Sequence, residues 1–162
     1  MSVFESKPNG KYASRRQFSA DEVVAFAMEI VAARFQRGAC LTSPDATRQY
    51  LALQLADRHH EVFGALFLDS QHRLISDEIL FKGTINSTAV YPRIVVQRAL
   101  LLNAAALILY HNHPSGEPEP SAADRHITMQ LTESLKLIDV RVIDHLVVAG
   151  SATVSFAERN WL

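Results

Sequence analysis

Two histidines one residue apart, His111 and His113, are followed by Pro114-Ser115-Gly116 and then, after a short segment, by Ser121 and Asp124. Two imidazoles and one carboxylate form a donor set for a divalent metal, zinc above all, and three protein donors leave a fourth tetrahedral position open. That count belongs to a catalytic site rather than a structural one. The apolar run Ala104-Ala105-Ala106-Leu107-Ile108-Leu109-Tyr110 leads straight into His111, and in a buried strand residues two apart share a face, so His111 and His113 converge. Pro114 ends that strand, Pro118 and Pro120 stiffen the return, and Ser121 stands where a helix begins, with Asp124 facing back from its first turn. Taken alone, Ser121 and Asp124 are also a capping box. The whole pattern, H-x-H, seven residues, S, two residues, D, at the exit of an apolar strand, is what points to a metal.

The elements that must carry these residues can be read around them. Ser19-Ala20-Asp21-Glu22 opens a helix to about residue 35, and Ser43-Pro44 opens another to about residue 57. Residues 61–69 and 74–81 read as two strands of a hairpin joined by Ser70-Gln71-His72-Arg73. Pro92 starts a helix to residue 102, the strand ending at His113 follows, and a helix over 122–137 puts Ile127, Leu131, Leu135 and Ile138 on one face. Strands at 140–143, 146–149 and 153–156 complete a mixed sheet. On this pattern His145 falls at a strand end, where a structural hydrogen bond is the first expectation and a contact behind the metal ligands the second. Asn112 points to the sheet face opposite the histidines, and His59, His60, His72 and His126 read as surface residues.

The His-x-His, seven residues, Ser-x-x-Asp pattern resembles the signature of the JAMM metallohydrolases, the metal-binding branch of the MPN domains. Phe81-Lys82-Gly83-Thr84-Ile85-Asn86, Tyr91-Pro92-Arg93, Leu102-Asn103-Ala104-Ala105-Ala106, the HNHPSG segment and Asp144-His145-Leu146-Val147-Val148 are similar to the RadC-like subgroup. The resemblance implies a three-layer α/β mixed-sheet domain, similar to cytidine deaminases, over residues 42–162 with one zinc ion held by His111, His113 and Asp124. It also implies an upstream glutamate, just ahead of a hydrophobic strand, that acts on the water at the metal. Glu61, before Val62-Phe63-Gly64-Ala65-Leu66-Phe67-Leu68, is the candidate, and Glu78 is the rival. Spacing alone does not separate the two; the family pattern favours Glu61. Ser121 takes a second role in that pattern, donating to the oxygen that gains charge in a tetrahedral intermediate. The function implied is a zinc-dependent hydrolase of a peptide or isopeptide carbonyl. The alternative is a DNA-repair-associated nucleic-acid factor or a metal-dependent nuclease.

Composition limits these classes. The chain has 162 residues, 48% of them hydrophobic, enough for one core, preceded by an expected flexible tail over 1–19 and a helical extension over 20–41. Cys40 is the only cysteine, so neither an intramolecular disulfide nor a cysteine-built metal site is available, and a reducing cytoplasm is the expected compartment. Residues 1–19 lack an apolar core of the secretory type, and no stretch reaches the ~18 apolar residues of a membrane span. Sixteen Lys and Arg against 17 Asp and Glu give a net charge of −1, so no global field attracts nucleic acid. Lys7, Lys11, Arg15 and Arg16 cluster only in the expected tail. Longer RadC-like proteins carry a helix-hairpin-helix region ahead of the metal domain, and no such region is read here. A nuclease would use paired metals and more carboxylates than Asp124 and Glu61. The expected partner is therefore a peptide or protein substrate, without tight nucleic-acid binding or a membrane.

Overall fold

Seven-residue runs with both faces apolar cannot sit at a sheet edge without exposing one face, and the two such runs here occupy adjacent inner positions. The computed structural model describes residues 5–6, 12–13, 17–34, 36, 38, 43–83 and 88–162. The chain divides into two compact units, Met1–Arg34 and Phe35–Leu162. The first holds strands β1 (Glu5–Ser6) and β2 (Tyr12–Ala13), paired antiparallel, and helix α1 (Ala20–Arg34). A capping box starts α1: Ser19 Oγ accepts the Glu22 N–H, and the Glu22 carboxylate accepts the Ser19 N–H. The ring of Tyr12 meets that of Phe26 edge-on at 5.1 Å. Two short stretches of the segment expected as a flexible tail, Glu5–Ser6 and Tyr12–Ala13, are paired as strands.

The second unit runs α2 (Pro44–Leu55), β3 (Val62–Leu68), β4 (Leu74–Lys82), α3 (Pro92–Leu101), β5 (Ala106–Asn112), α4 (Ala122–Lys136), β6 (Arg141–Ala149) and β7 (Ala152–Ser155). The sheet order is β4-β3-β5-β6-β7, antiparallel except for the β5·β6 pair. This is the mixed α/β arrangement expected. Strands β3 and β5 are buried along their whole length and lie side by side at the centre. Odd-numbered residues Phe63, Ala65, Phe67, Leu107 and Leu109 pack with Val95 and Ala99 of α3 and Leu131 and Leu135 of α4. Even-numbered residues face α2, where Tyr110 donates its hydroxyl to Asp77. Gly64 stands opposite Tyr110, and a Cβ there would fall 2.3 Å from the Tyr110 ring, so only glycine admits the tyrosine.

One expectation is corrected. Residues 140–149 do not form two strands parted at Asp144-His145; β6 runs through them. A register shift between Leu107 and Ile108 absorbs the extra residue, and Asp144 is satisfied locally by the His145 N–H, the Ser155 hydroxyl and the Ala157 N–H. His145 therefore sits inside the strand, fully buried. Among the described residues no helix is long and apolar enough to cross a membrane. Cys40, the basic residues 7, 11, 15 and 16, and Thr84-Ile85-Asn86 lie outside the described residues.

Candidate metal centre

Strand β5 delivers His111 near its end, and His113 follows one residue beyond it, on the same face. The chain then turns at once: Gly116 N–H donates to the His113 carbonyl at 3.1 Å, and Gly116 adopts φ +83°, a conformation that glycine takes without strain. Helix α4 begins at Ser121 with a complete capping box, which points Asp124 back over the strand exit. His111, His113 and Asp124 are thereby brought together, with one potential ligand atom from each lying within 4.8 Å of the others. Nε2 of His111 is 3.0 Å from Nε2 of His113 and 3.4 Å from Asp124 Oδ1, and His113 Nε2 is 3.7 Å from Asp124 Oδ2. Zinc with bonds of about 2.0–2.1 Å and tetrahedral angles needs ligand atoms roughly 3.3 Å apart. The donor set fits a metal of that kind.

Proton positions strengthen the fit. His113 Nδ1 lies 2.7 Å from the Glu117 carbonyl, which can only accept, so Nδ1 carries a proton and Nε2 is the ring atom turned toward His111 and Asp124. Asp124 Oδ2 accepts the Ser121 N–H at 2.7 Å and the Ser121 hydroxyl at 2.6 Å, which leaves Oδ1 facing His111. Burial raises the Asp124 carboxyl, but His111, His113 and Ser121 outweigh it and hold the group well below the usual carboxylate range. The hydrogen bond to Asp124 raises the His113 imidazole above its ordinary value, against the effect of burial. His111 keeps only 1% of its side-chain exposure, while His113 and Asp124 keep 15% and 17%, so the cluster opens to solvent past the last two.

Behind His111 lies His145, whose Nε2 is 2.8 Å from His111 Nδ1 and whose Nδ1 is 2.6 Å from the Thr128 hydroxyl. Burial pushes the His145 imidazole well below its ordinary value, and the neighbouring His111 adds to the effect. The ring is accordingly neutral. Thr128 escaped the sequence reading, although it lies four residues after Asp124 and so on the same face of α4.

The two candidate carboxylates part company. Phe63 pairs with His111 across β3 and β5, so two residues earlier Glu61 falls opposite His113, immediately before β3. Its charge is the least of the influences that raise the His113 imidazole. The Glu61 carbonyl is pinned by the Gly83 N–H at 2.8 Å and the Thr88 hydroxyl at 3.2 Å. Glu78 instead meets Arg98 of α3 in a two-pronged ion pair at 2.7 and 2.5 Å, and it accepts the Ser76 hydroxyl. The Arg98 guanidinium holds its carboxyl below the usual range. Glu78 is thus committed elsewhere. Ser121 is also committed, since its hydroxyl proton lies toward Asp124; an oxyanion role would require it to turn.

Asn112, between the two histidines, points the other way as expected. Its side-chain oxygen accepts the Val62 N–H at 2.8 Å, and its amide donates to the carbonyls of His60 at 3.1 Å and Arg58 at 3.4 Å. It ties the segment that carries Glu61 to the end of β5. A cleft of about 440 Å³ opens beside His113, lined by Arg58, His59, Ser115, Leu55 and Val148.

Comparison with known proteins agrees with this geometry. The RadC-like JAB domain family matches residues 41–161. A UPF0758 protein of Vibrio vulnificus is 56% identical over 140 residues, covering 86% of this chain and 62% of the relative, and one of Vibrio parahaemolyticus is 54% identical over the same span. A UPF0758 protein of Vibrio cholerae is 49% identical over 155 residues, covering 96% of this chain and 98% of that relative. The chain thus spans about 62% of the length of the first two relatives and nearly all of the third. With the match running through both histidines, Asp124 and the strands that carry them, the chain belongs to the RadC-like JAB domain family of MPN/JAMM proteins.

Proposed function

We propose that this chain is a zinc-dependent hydrolase that attacks a peptide or isopeptide carbonyl. One observation carries the reading: two imidazole nitrogens and a carboxylate oxygen converge at the solvent-facing exit of β5, and a metal would satisfy all three. When bound, the metal supplies Lewis acidity that polarises the carbonyl and makes water easier to deprotonate near neutral pH. His111, His113 and Asp124 hold it. Glu61 takes the proton of the attacking water and returns it to the leaving amine. Ser121, exchanging its bond to Asp124, donates to the oxygen that gains charge. The cleft beside His113 is within the size range of ligand sites and joins apolar Leu55 and Val148 to the polar Arg58 and His59, features that suit a peptide segment. Cytoplasm is the compartment that fits a chain with a single cysteine.

The test has two parts. Elemental analysis of the purified protein is expected to find about one zinc per chain. A screen against peptides, isopeptide-linked conjugates and nucleic acids is expected to give zinc-dependent cleavage in one of the first two. Zinc-dependent cleavage of nucleic acid alone would replace this reading with the nuclease one.

A further inference from the structure

We propose that Thr128 and His145 are positioning residues for the metal: together they fix the proton of His111 on Nδ1, so that its Nε2 lone pair faces His113 and Asp124. The proposal rests on the metal reading above. Its starting point is a hydroxyl with one proton and two close neighbours. Thr128 Oγ1 lies 2.6 Å from the Asp124 backbone carbonyl and 2.6 Å from His145 Nδ1. A carbonyl only accepts, so at that distance the hydroxyl proton lies on the line to Asp124. His145 Nδ1 must then be the donor. A neutral imidazole has one N–H, so His145 Nε2 is bare and accepts from His111 Nδ1 at 2.8 Å. A neutral His111 with its proton on Nδ1 then has Nε2 free to take a metal. Each link follows from the one before it while both rings are neutral.

The alternative state shows what Thr128 does. With no acceptor at its Nδ1, the fully buried His145 ring would place its proton on Nε2 and donate to His111. His111 would then carry its proton on Nε2, aimed at the metal position. Thr128 therefore sets the state of a ligand that it does not touch. It also sits 1% exposed on a helix face shared with Leu131 and Leu135, where a larger aliphatic residue would bury more apolar surface. Its bond back to the carbonyl four residues earlier slightly weakens the helix. The relay begins at the backbone of one ligand, Asp124, and ends on another, His111, so the first turn of α4 holds one donor and orients the second. Because its far end is a hydroxyl rather than a carboxylate, the relay adds no negative charge, and Asp124 remains the single anionic ligand of the three.

Zinc affinity, measured by competition with a chromophoric chelator, tests this directly. Thr128→Val removes the hydroxyl at nearly constant volume and is expected to weaken zinc binding about 10- to 100-fold, as loss of an outer hydrogen-bond partner does. Thr128→Ser restores the hydroxyl and is expected to stay within about threefold of the parent on the same scale. A valine variant that folds and binds zinc as tightly as the parent overturns the proposal. Should that variant not fold, histidine ¹H–¹⁵N spectra of the unaltered protein decide the matter, recorded zinc-loaded and after chelation. A proton on Nδ1 of both His111 and His145 supports the relay, and a proton on Nε2 of either overturns it. Failure of the metal reading is seen separately, as a parent protein that binds no zinc, and the spectra still report the relay in that case.

Discussion

Strand β5 carries polar groups on both of its faces at the same end, and the two faces treat them in opposite ways. Toward α2, every polar group of Tyr110 and Asn112 has a partner of the matching kind: the Tyr110 hydroxyl donates to Asp77, and the Asn112 amide both donates and accepts. Toward α4, His111 and His113 bring ring nitrogens to 3.0 Å from one another and to 3.4 and 3.7 Å from the oxygens of the Asp124 carboxylate. Protons satisfy the first face. The second gathers three potential metal ligands around one point, where a single cation could bind all of them. Buried polarity by itself therefore says little; whether polar atoms pair off or converge on one point is what separates a scaffold from a site.

The largest expected effect breaks the metal face alone. His113→Ala removes one of the three donors, and zinc content is expected to drop from about one per chain to near zero while the metal-free fold survives. Elemental analysis and circular dichroism on the same sample would check both halves, and full occupancy in this variant would sink the ligand assignment. Next comes the pair of carboxylates. Glu61→Gln is expected to leave zinc bound and lower turnover by about 10²- to 10⁴-fold, the range for loss of a general base. Glu78→Gln weakens a partly exposed ion pair with Arg98, a change of about 0–1 kcal/mol in stability with turnover kept. The opposite ranking of the two variants would show that the wrong carboxylate has been chosen.

What the sequence conveyed and what it withheld follow from which interactions are local. The His-x-His spacing, the proline after it and the capping box at Ser121 are readable because strand alternation and helix initiation depend on neighbours in the chain. The break expected at Asp144-His145 was misplaced for the converse reason. Two consecutive polar residues look like a strand end, and partners further along the chain, Ser155 for Asp144 and Thr128 and His111 for His145, help to satisfy them inside one. Glu61 and Glu78 look alike along the chain, and they separate only once the β3·β5 register and the approach of Arg98 are known. Thr128 carries no signature at all, since a buried threonine on a helix reads as ordinary packing.

Asn112 offers a way to sharpen the comparison from the scaffold side. Asn112→Ala strips the Val62 N–H and the carbonyls of His60 and Arg58 of their partner. Three hydrogen bonds at roughly 1 kcal/mol each predict a loss of about 3 kcal/mol in unfolding free energy. Zinc affinity is expected to stay near that of the parent, because none of the ligands contacts the amide. Denaturant unfolding and chelator competition measure the two separately, and a large fall in affinity would mean that the faces are coupled.

The smallest effect concerns alkali, to which the two faces should respond differently. Burial raises the Tyr110 hydroxyl far above its ordinary value and neighbouring Asp77 raises it further, and burial followed by Asp77 does the same for Tyr50. A group whose folded value is raised gives stability that is fully present below the unfolded value, about 10 for tyrosine, and is lost as pH climbs toward the folded one. The protein is thus expected to lose stability above about pH 10, through the face that holds no metal. Tyr110→Phe should cost about 1.5 kcal/mol at neutral pH, near the lower end for a hydrogen bond to a charged group, because Tyr50 and Gln54 still serve Asp77. The variant should also lose less stability than the parent between pH 9 and about 11, since one of the two raised hydroxyls is gone. Urea unfolding across that range would reveal it, and parallel pH profiles for parent and variant would show that the tyrosine pair does not govern the alkaline limit.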